Sequence, residues 1–216
     1  LEEYRWRLAE YKADPDLQAV HAAHPFAVTW DDHEIDNDYA GDHSQDRDPV
    51  EVFRKRRLAA HQAYWEHMPL RAPAPVGKDL LLSKTLKAGA LVDLHLLDTR
   101  SFRDDHACET RRDAGGRVLQ LDSCPDLASP DRSMLGGYQR AWLTQALVQT
   151  ESRWTVLASS LLFSRLNQAG GYWSDGWDGY VAGRGAVVRE LADHTRNPLV
   201  VSGDIHSHWA IELRTD

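Results

Sequence analysis

Along this chain, short apolar segments alternate with segments that have helical periodicity. Polar clusters follow several of the apolar segments. Segments rich in β-branched, aliphatic or aromatic residues predict strands at 26–30, 80–89, 90–100, 154–163, 198–205 and 208–215. Helical spacing of apolar residues, and a capping signal at Asp14-Pro15-Asp16, predict helices at 1–13, 17–24, 49–67, 138–151 and 184–195. Alternating strands and helices favour an α/β fold of layered type.

Polar clusters follow three of the predicted strands directly, at residues 31–37, 98–103 and 204–208. In layered α/β folds, ligands bind at the carboxyl ends of strands. We therefore expect the three clusters to meet at one functional site.

Composition narrows the possible partners. The net charge is −8, which disfavours binding to nucleic acid, since such binding depends on neutralising phosphates with Lys and Arg. The sequence has neither an apolar run near the ~20 residues of a membrane helix nor a signal peptide.

The chain begins at Leu1 within a predicted helix, so we interpret it as an internal piece of a longer protein. The sequence does not indicate an oligomeric state.

The first cluster, Trp30-Asp31-Asp32-His33-Glu34, combines carboxylates with an imidazole. Hard divalent cations bind carboxylate oxygens, and borderline metals accept imidazole. Such a stretch is typical of part of a metal site, but a solvated acidic loop has the same composition.

The other two clusters also allow two interpretations each. Asp204 and His206 are two residues apart after a predicted strand, and in extended backbone both side chains face the same way. They would then serve a metal, or else be a capping Asp and a surface His. Arg100 and Arg103 can converge on one anion such as phosphate, or form ion pairs with nearby Asp98 and Asp104.

The two cysteines, Cys108 and Cys124, lie in a long polar segment, 101–137, that is predicted to be a loop. They match neither a CxxC redox motif nor a zinc finger. They are either two thiols or a local disulfide, and a disulfide would indicate an oxidising compartment. The aromatic, Gly-rich segment 167–183 either shapes a substrate mouth or packs as a loop.

Three segments, HPFAVTWDDHEIDNDYAG, LLDTRSFRDD and LVVSGDIHSHW, carry a resemblance to a known family. Together they resemble the PhoD-like alkaline phosphatases and phosphodiesterases of the calcineurin-like metallophosphoesterase superfamily. The resemblance implies a four-layer αββα sandwich with a two-metal site that hydrolyses phosphate monoesters, diesters or both. Residues 1–216 would form most of a single metallophosphatase domain that lacks its N-terminal part.

The resemblance also implies roles for individual residues. It assigns metal binding to Asp32, Asn37, Asp204 and His206. His33 would assist the leaving-group oxygen, Arg100 would contact the phosphate, and Asn37 would be a metal ligand or a phosphate contact.

The remaining acids of the first cluster have lesser expected roles. Asp31 and Glu34 would support the loop, and the acids of residues 42–48 would remain solvated. The family's first ligand segments, with an Asp, a Tyr and a Cys, have no counterpart here, and Ser160 stands where a Gln is expected.

By the same resemblance, the metals would be calcium and iron, the substrate a small phosphoester, and the location secreted or periplasmic. Two alternatives stay open: a phospholipase-D-like phosphodiesterase and a non-catalytic metal-binding fragment.

Overall fold

A four-stranded mixed sheet forms the centre of the computed structural model, which describes residues 1–110, 115–166 and 169–215. The strands are β1 (Lys84–Ala88), β2 (Val92–Leu96), β3 (Val118–Leu119), β4 (Trp154–Ser159), β5 (Tyr172–Trp173) and β6 (Pro198–Ser202). The sheet has the order β1-β2-β4-β6, and β3 pairs with β5 in a separate two-stranded ribbon. The chain thus has the mixed α/β fold that the alternating pattern predicted.

Strand direction brings the polar clusters together. β1 and β2 form an antiparallel hairpin, whereas β2, β4 and β6 run parallel. The carboxyl ends of these three parallel strands therefore lie at one edge of the sheet. The clusters at 98–103 and 204–208 follow β2 and β6 at this edge.

The helices lie close to their predicted positions. They are α1 (Glu2–Lys12), α2 (Pro15–Ala23), α3 (Val50–His67), α4 (Gly136–Val148) and α5 (Val181–His194), with short 3-10 helices at Pro125–Ala128 and Trp177–Tyr180. The start of α2 shows why: the Asp14 side chain accepts a hydrogen bond from the Leu17 backbone N–H at 2.8 Å, a typical N-cap. None of the described helices is both long and apolar enough to span a membrane.

Two apolar clusters hold these elements in place. The larger cluster, which includes Leu143 of α4, Leu157 of β4 and Leu191 of α5, joins these two helices to the sheet. A second cluster contains Trp30 and Tyr64 and lies directly before the acidic loop. The Trp30 ring stacks on His61 of α3, with ring centroids 4.3 Å apart. The start of the acidic loop is thereby anchored to α3.

Two predicted strands are wrong. Residues 26–30 form no strand. The Thr29 carbonyl accepts a hydrogen bond from the Tyr64 side chain at 3.1 Å rather than from a neighbouring strand, and the Thr29 hydroxyl donates to the Leu97 carbonyl at 2.8 Å. Residues 208–215 form no strand either. Trp209 and Ile211 remain exposed there, and no described strand pairs with this segment.

The long polar segment 101–137 is more ordered than its composition suggested. It contains β3 and a 3-10 helix, and Cys108 and Cys124 form a disulfide bond. The disulfide alternative is therefore the one that the structure shows. Residues 111–114 of this segment and residues 167–168 of the aromatic segment lie outside the described residues.

Candidate metal centre

The acidic loop is held in shape by its own carboxylates. Asp32 is buried, and its two oxygens accept hydrogen bonds from the backbone N–H groups of His33 at 2.8 Å and Asp38 at 2.9 Å. Glu34 accepts from the backbone N–H of Asp31 at 2.8 Å. Asp and Glu side chains that bond to nearby backbone favour such turns.

Three carboxylates from two of the polar clusters meet at the sheet edge. Oxygens of Asp31, Asp32 and Asp204 all lie within 4.8 Å of one another. Asp31 had been expected only to support the loop, yet the structure places it in this group. Hard cations such as calcium bind sets of carboxylate oxygens.

The backbone after β6 is turned rather than extended. Asp204 has φ of 69° and His206 has φ of 53°, a left-handed conformation in which Asp and His are more common than most residues. The expectation of an extended pair is therefore wrong. Asp204 joins the carboxylate group, whereas His206 does not belong to it.

Burial and mutual repulsion make two of the three carboxylates, Asp31 and Asp204, harder to ionise than usual. Burial and the nearby Asp31 raise the pKa of Asp204 to about 7, although Arg100 opposes this. Burial likewise raises the pKa of Asp31, again against the influence of Arg100. A cation bound here would relieve this repulsion, so the residues present fit a hard divalent metal ion.

A cleft of about 350 Å³ opens beside these carboxylates. It is lined by five of the six predicted site residues, Asp32, His33, Asn37, Asp204 and His206. The side chains of His33, Asn37 and His206 are exposed, and the Asn37 amide donates to Gln45 at 2.8 Å.

Arg100, the sixth predicted residue, lies fully buried next to the carboxylates. Its Nε donates to Asp31 at 2.6 Å, and its Nη2 donates to Asp204 at 3.3 Å. Its Nη1 donates to both oxygens of Asp175, at 3.0 and 2.9 Å. The guanidinium is therefore surrounded by carboxylates. The Asp98 carboxylate accepts instead from the backbone N–H groups of Arg100 at 3.1 Å and Ser101 at 2.9 Å.

Asp175 is the residue that sequence reasoning missed. Arg103 donates to it through Nη2 at 2.6 Å, and Nε2 of His106 lies 2.8 Å from the same oxygen. Burial alone would raise the pKa of Asp175, but Arg103 and Arg100 hold it well below its usual range. Of the two alternatives for the arginines, the structure shows convergence on one anion, and that anion is an aspartate of the protein itself.

Comparison with known proteins places this geometry in a family. A model of the PhoD-like phosphatases matches residues 1–216. The chain belongs to the PhoD-like phosphatase family. It is 39% identical over 222 residues to alkaline phosphatase D of Bacillus subtilis (strain 168), and the match covers 100% of this chain and 37% of that relative.

The fold agrees with the sequence match. A solved structure of PhoD superposes with a TM-score of 0.87 at 39% identity, covering 99% of this chain and 40% of that one. This PhoD-like chain therefore spans well under half the length of the relatives that it matches.

A second group of potential metal ligands in this PhoD-like chain is paired with an arginine side chain. Asp105, His106 and Glu109 bring ligand atoms within 4.8 Å of one another. Arg47 forms ion pairs with Asp105 at 2.8 Å and with Glu109 at 2.5 Å. The Arg47 guanidinium thus already neutralises two of the three potential ligands.

Proposed function

We propose that the protein hydrolyses phosphate monoesters, diesters or both, with metal ions held at the carboxylate group. The observation that carries this proposal is the meeting of Asp31, Asp32 and Asp204 at the edge of an open cleft, with buried Arg100 against them. Membership of the PhoD-like phosphatase family supports the same reaction. The substrate would be a small phosphoester, and no nucleic acid partner is proposed.

Each site residue has a proposed part in this reaction. The carboxylates Asp31, Asp32 and Asp204 would hold the metal ions, with exposed Asn37 and His206 as further ligands at the cleft. Bound divalent cations would supply Lewis-acid polarisation of the phosphoryl oxygens.

The two remaining predicted residues are His33, which would donate a proton, and Arg100, which would stabilise negative charge. Exposed His33 lies in the cleft, where it can donate a proton to the leaving oxygen. The positive charge of Arg100 lies against the carboxylates and would favour the negative charge that develops at phosphorus.

Calcium and iron are the metals that we propose. A set of carboxylates suits calcium, and the resemblance noted above includes iron. Metal analysis of the full-length protein, purified without chelator, tests this proposal directly. Stoichiometric zinc or magnesium in place of both metals would contradict it.

Substitution of the carboxylates tests the activity. In the full-length protein, Asp32→Ala and Asp204→Ala should each abolish turnover of p-nitrophenyl phosphate and bis-p-nitrophenyl phosphate. Asp46→Asn is the matched control, because Asp46 is an exposed acid of the same stretch outside the cleft. Wild-type turnover in both alanine variants would refute the proposal.

The same assays separate the alternatives. A phospholipase-D-like enzyme would cleave phospholipid diesters in preference to either nitrophenyl ester. A non-catalytic metal-binding fragment would bind metal without turning over any phosphoester. The match to alkaline phosphatase D favours the first proposal over both alternatives.

We further propose that the chain forms most of one metallophosphatase domain, with a four-layer αββα sandwich in the complete protein. An uncovered apolar surface supports this: Leu199 and Val201 of β6 are 49% and 46% exposed. A cavity of about 590 Å³ beside them is lined in part by Trp209 and Ile211. Packing against another layer would bury this surface.

Export to a secreted or periplasmic location is also proposed. Disulfides persist in oxidising compartments, and Cys108 and Cys124 form one. Mass spectrometry of the native protein without reductant tests this, because two free thiols would remove the support.

A further inference from the structure

Arg100 has two kinds of carboxylate partner. Asp31 and Asp204 belong to the proposed metal-binding group, whereas Asp175 does not. In the structure the guanidinium bonds to both kinds at once. A cation bound to Asp31 and Asp204 would compete with Arg100 for their oxygens and would repel its charge.

The contacts of Asp175 favour keeping the Arg100 guanidinium at Asp175 when a cation binds Asp31 and Asp204. Nη1 of Arg100 donates to both oxygens of Asp175, and hydrogen bonds between two charged groups are stronger than those between neutral groups. Asp175 is almost completely buried, so water screens this pair little.

Two further residues, Arg103 and His106, fix the position of Asp175. Arg103 binds both its carboxylate and its backbone carbonyl, the latter at 2.7 Å. His106 holds the same carboxylate, and the other ring nitrogen of His106 lies 3.4 Å from Glu109. A carboxylate held by three partners cannot readily move toward the metal group.

We propose that Asp175 is the positioning residue for Arg100 and holds the guanidinium away from Asp31 and Asp204 when cations bind there. This inference rests on the proposed function only in taking those carboxylates as metal ligands. Without Asp175, Arg100 would remain on Asp31 and Asp204 and compete with the metal ion. Asp175 would thus affect metal affinity through Arg100.

Calcium affinity of the full-length protein, measured by isothermal titration calorimetry after chelator treatment, tests the proposal. Asp175→Asn should weaken calcium binding about tenfold, within the range seen for residues that support metal ligands. Arg100→Gln should strengthen it, because the competing cation is gone. Asp178→Asn is the matched control, a buried acid three residues along that has no contact with Arg100, and should change affinity less than about twofold.

The double variant Asp175→Asn/Arg100→Gln separates positioning from simple charge. If Asp175 acts through Arg100, the double variant should bind calcium as tightly as Arg100→Gln alone. If Asp175→Asn weakens binding equally in both backgrounds, Asp175 acts by its own charge and the proposal is overturned.

Arg100→Lys provides a second route, which also serves if Asp175→Asn does not fold. Lysine keeps the charge but has one nitrogen in place of the three that separately reach Asp175, Asp31 and Asp204, so calcium binding should weaken as it does in Asp175→Asn. Wild-type affinity in Arg100→Lys would overturn the proposal. Absence of calcium binding in the wild-type protein would overturn this inference and the proposed function together, whereas calcium binding without turnover would overturn only the latter.

Discussion

The buried imidazole of His61 should make the protein lose stability in mild acid, as the pH falls below 6.5. His61 has no exposed surface, stacks on Trp30, and accepts a hydrogen bond at Nδ1 from the Leu80 backbone N–H at 3.2 Å. Burial, and secondarily the charge of Arg57, lower the pKa of His61 from 6.5 to about 3. The folded protein therefore holds this ring neutral, whereas the unfolded chain protonates it below pH 6.5.

The sign and size of the effect follow from linkage. A histidine whose pKa is lowered by folding contributes full stability above its unfolded value, and this contribution falls as the pH drops below 6.5. At pH 5 the solution is about 1.5 pH units below that value, and each unit corresponds to about 1.4 kcal/mol. The wild-type protein should therefore lose about 2 kcal/mol of unfolding free energy through His61 between pH 8 and pH 5.

Urea denaturation of wild type and His61→Gln at several pH values measures this contribution. Glutamine keeps an acceptor for Leu80 but does not titrate, so its fixed cost cancels when the difference between the two proteins is followed against pH. That difference should shrink by about 2 kcal/mol from pH 8 to pH 5. His24→Gln, which removes an exposed imidazole, is the control. A wild-type minus His61→Gln difference that stays constant with pH would refute the reasoning.

Three further stability predictions rest on buried or crosslinked groups. Burial raises the pKa of Asp178 to about 6 despite Arg184. The neutral Asp178 carboxyl therefore stabilises the folded protein at low pH, and this contribution is lost as the pH rises from 3.8 through 6. In urea denaturation, Asp178→Asn should be more stable than wild type at pH 8 by up to about 3 kcal/mol, with no gain at pH 4. Replacing both cysteines of the disulfide, which are 16 residues apart, with serine should cost about 3 kcal/mol, and an unchanged melting temperature would contradict this. Arg57→Met should cost about 3–5 kcal/mol, because buried Arg57 donates to Gly41 and Ser101 carbonyls and pairs with Asp79; a loss below about 1 kcal/mol in denaturant would show that these partners find other donors.

Helices and the location of the site could be predicted from local pattern. Apolar spacing and the Asp14 cap predicted the described α-helices within a few residues of their ends. In α3, α4 and α5 the spacing reflects burial of one helix face. The meeting of Arg100 and Asp204 followed from the parallel direction of β2 and β6, which brings the residues after both strands to the same side of the sheet.

Contacts between distant segments could not be predicted in this way. Asp175 lies 75 residues from Arg100 in a Gly-rich segment, where an acid is ordinarily solvated, so only the fold shows that two arginines and a histidine surround it. Residues 26–30 failed as a strand for a related reason. An apolar run signals burial, which Trp30 achieves, but it does not specify whether a strand or side chains will satisfy the backbone.

The outermost strand of the central sheet, β6, affects how the protein behaves in concentrated solution. β6 is an edge strand in the described sheet, and its Leu199 and Val201 are exposed. Exposed Trp209 and Ile211 line a cavity together with Leu199. A free strand edge beside apolar side chains is a template for pairing with another chain. Samples that leave this edge uncovered should therefore self-associate at high concentration, and charged substitutions at Leu199 or Val201 should keep them dispersed.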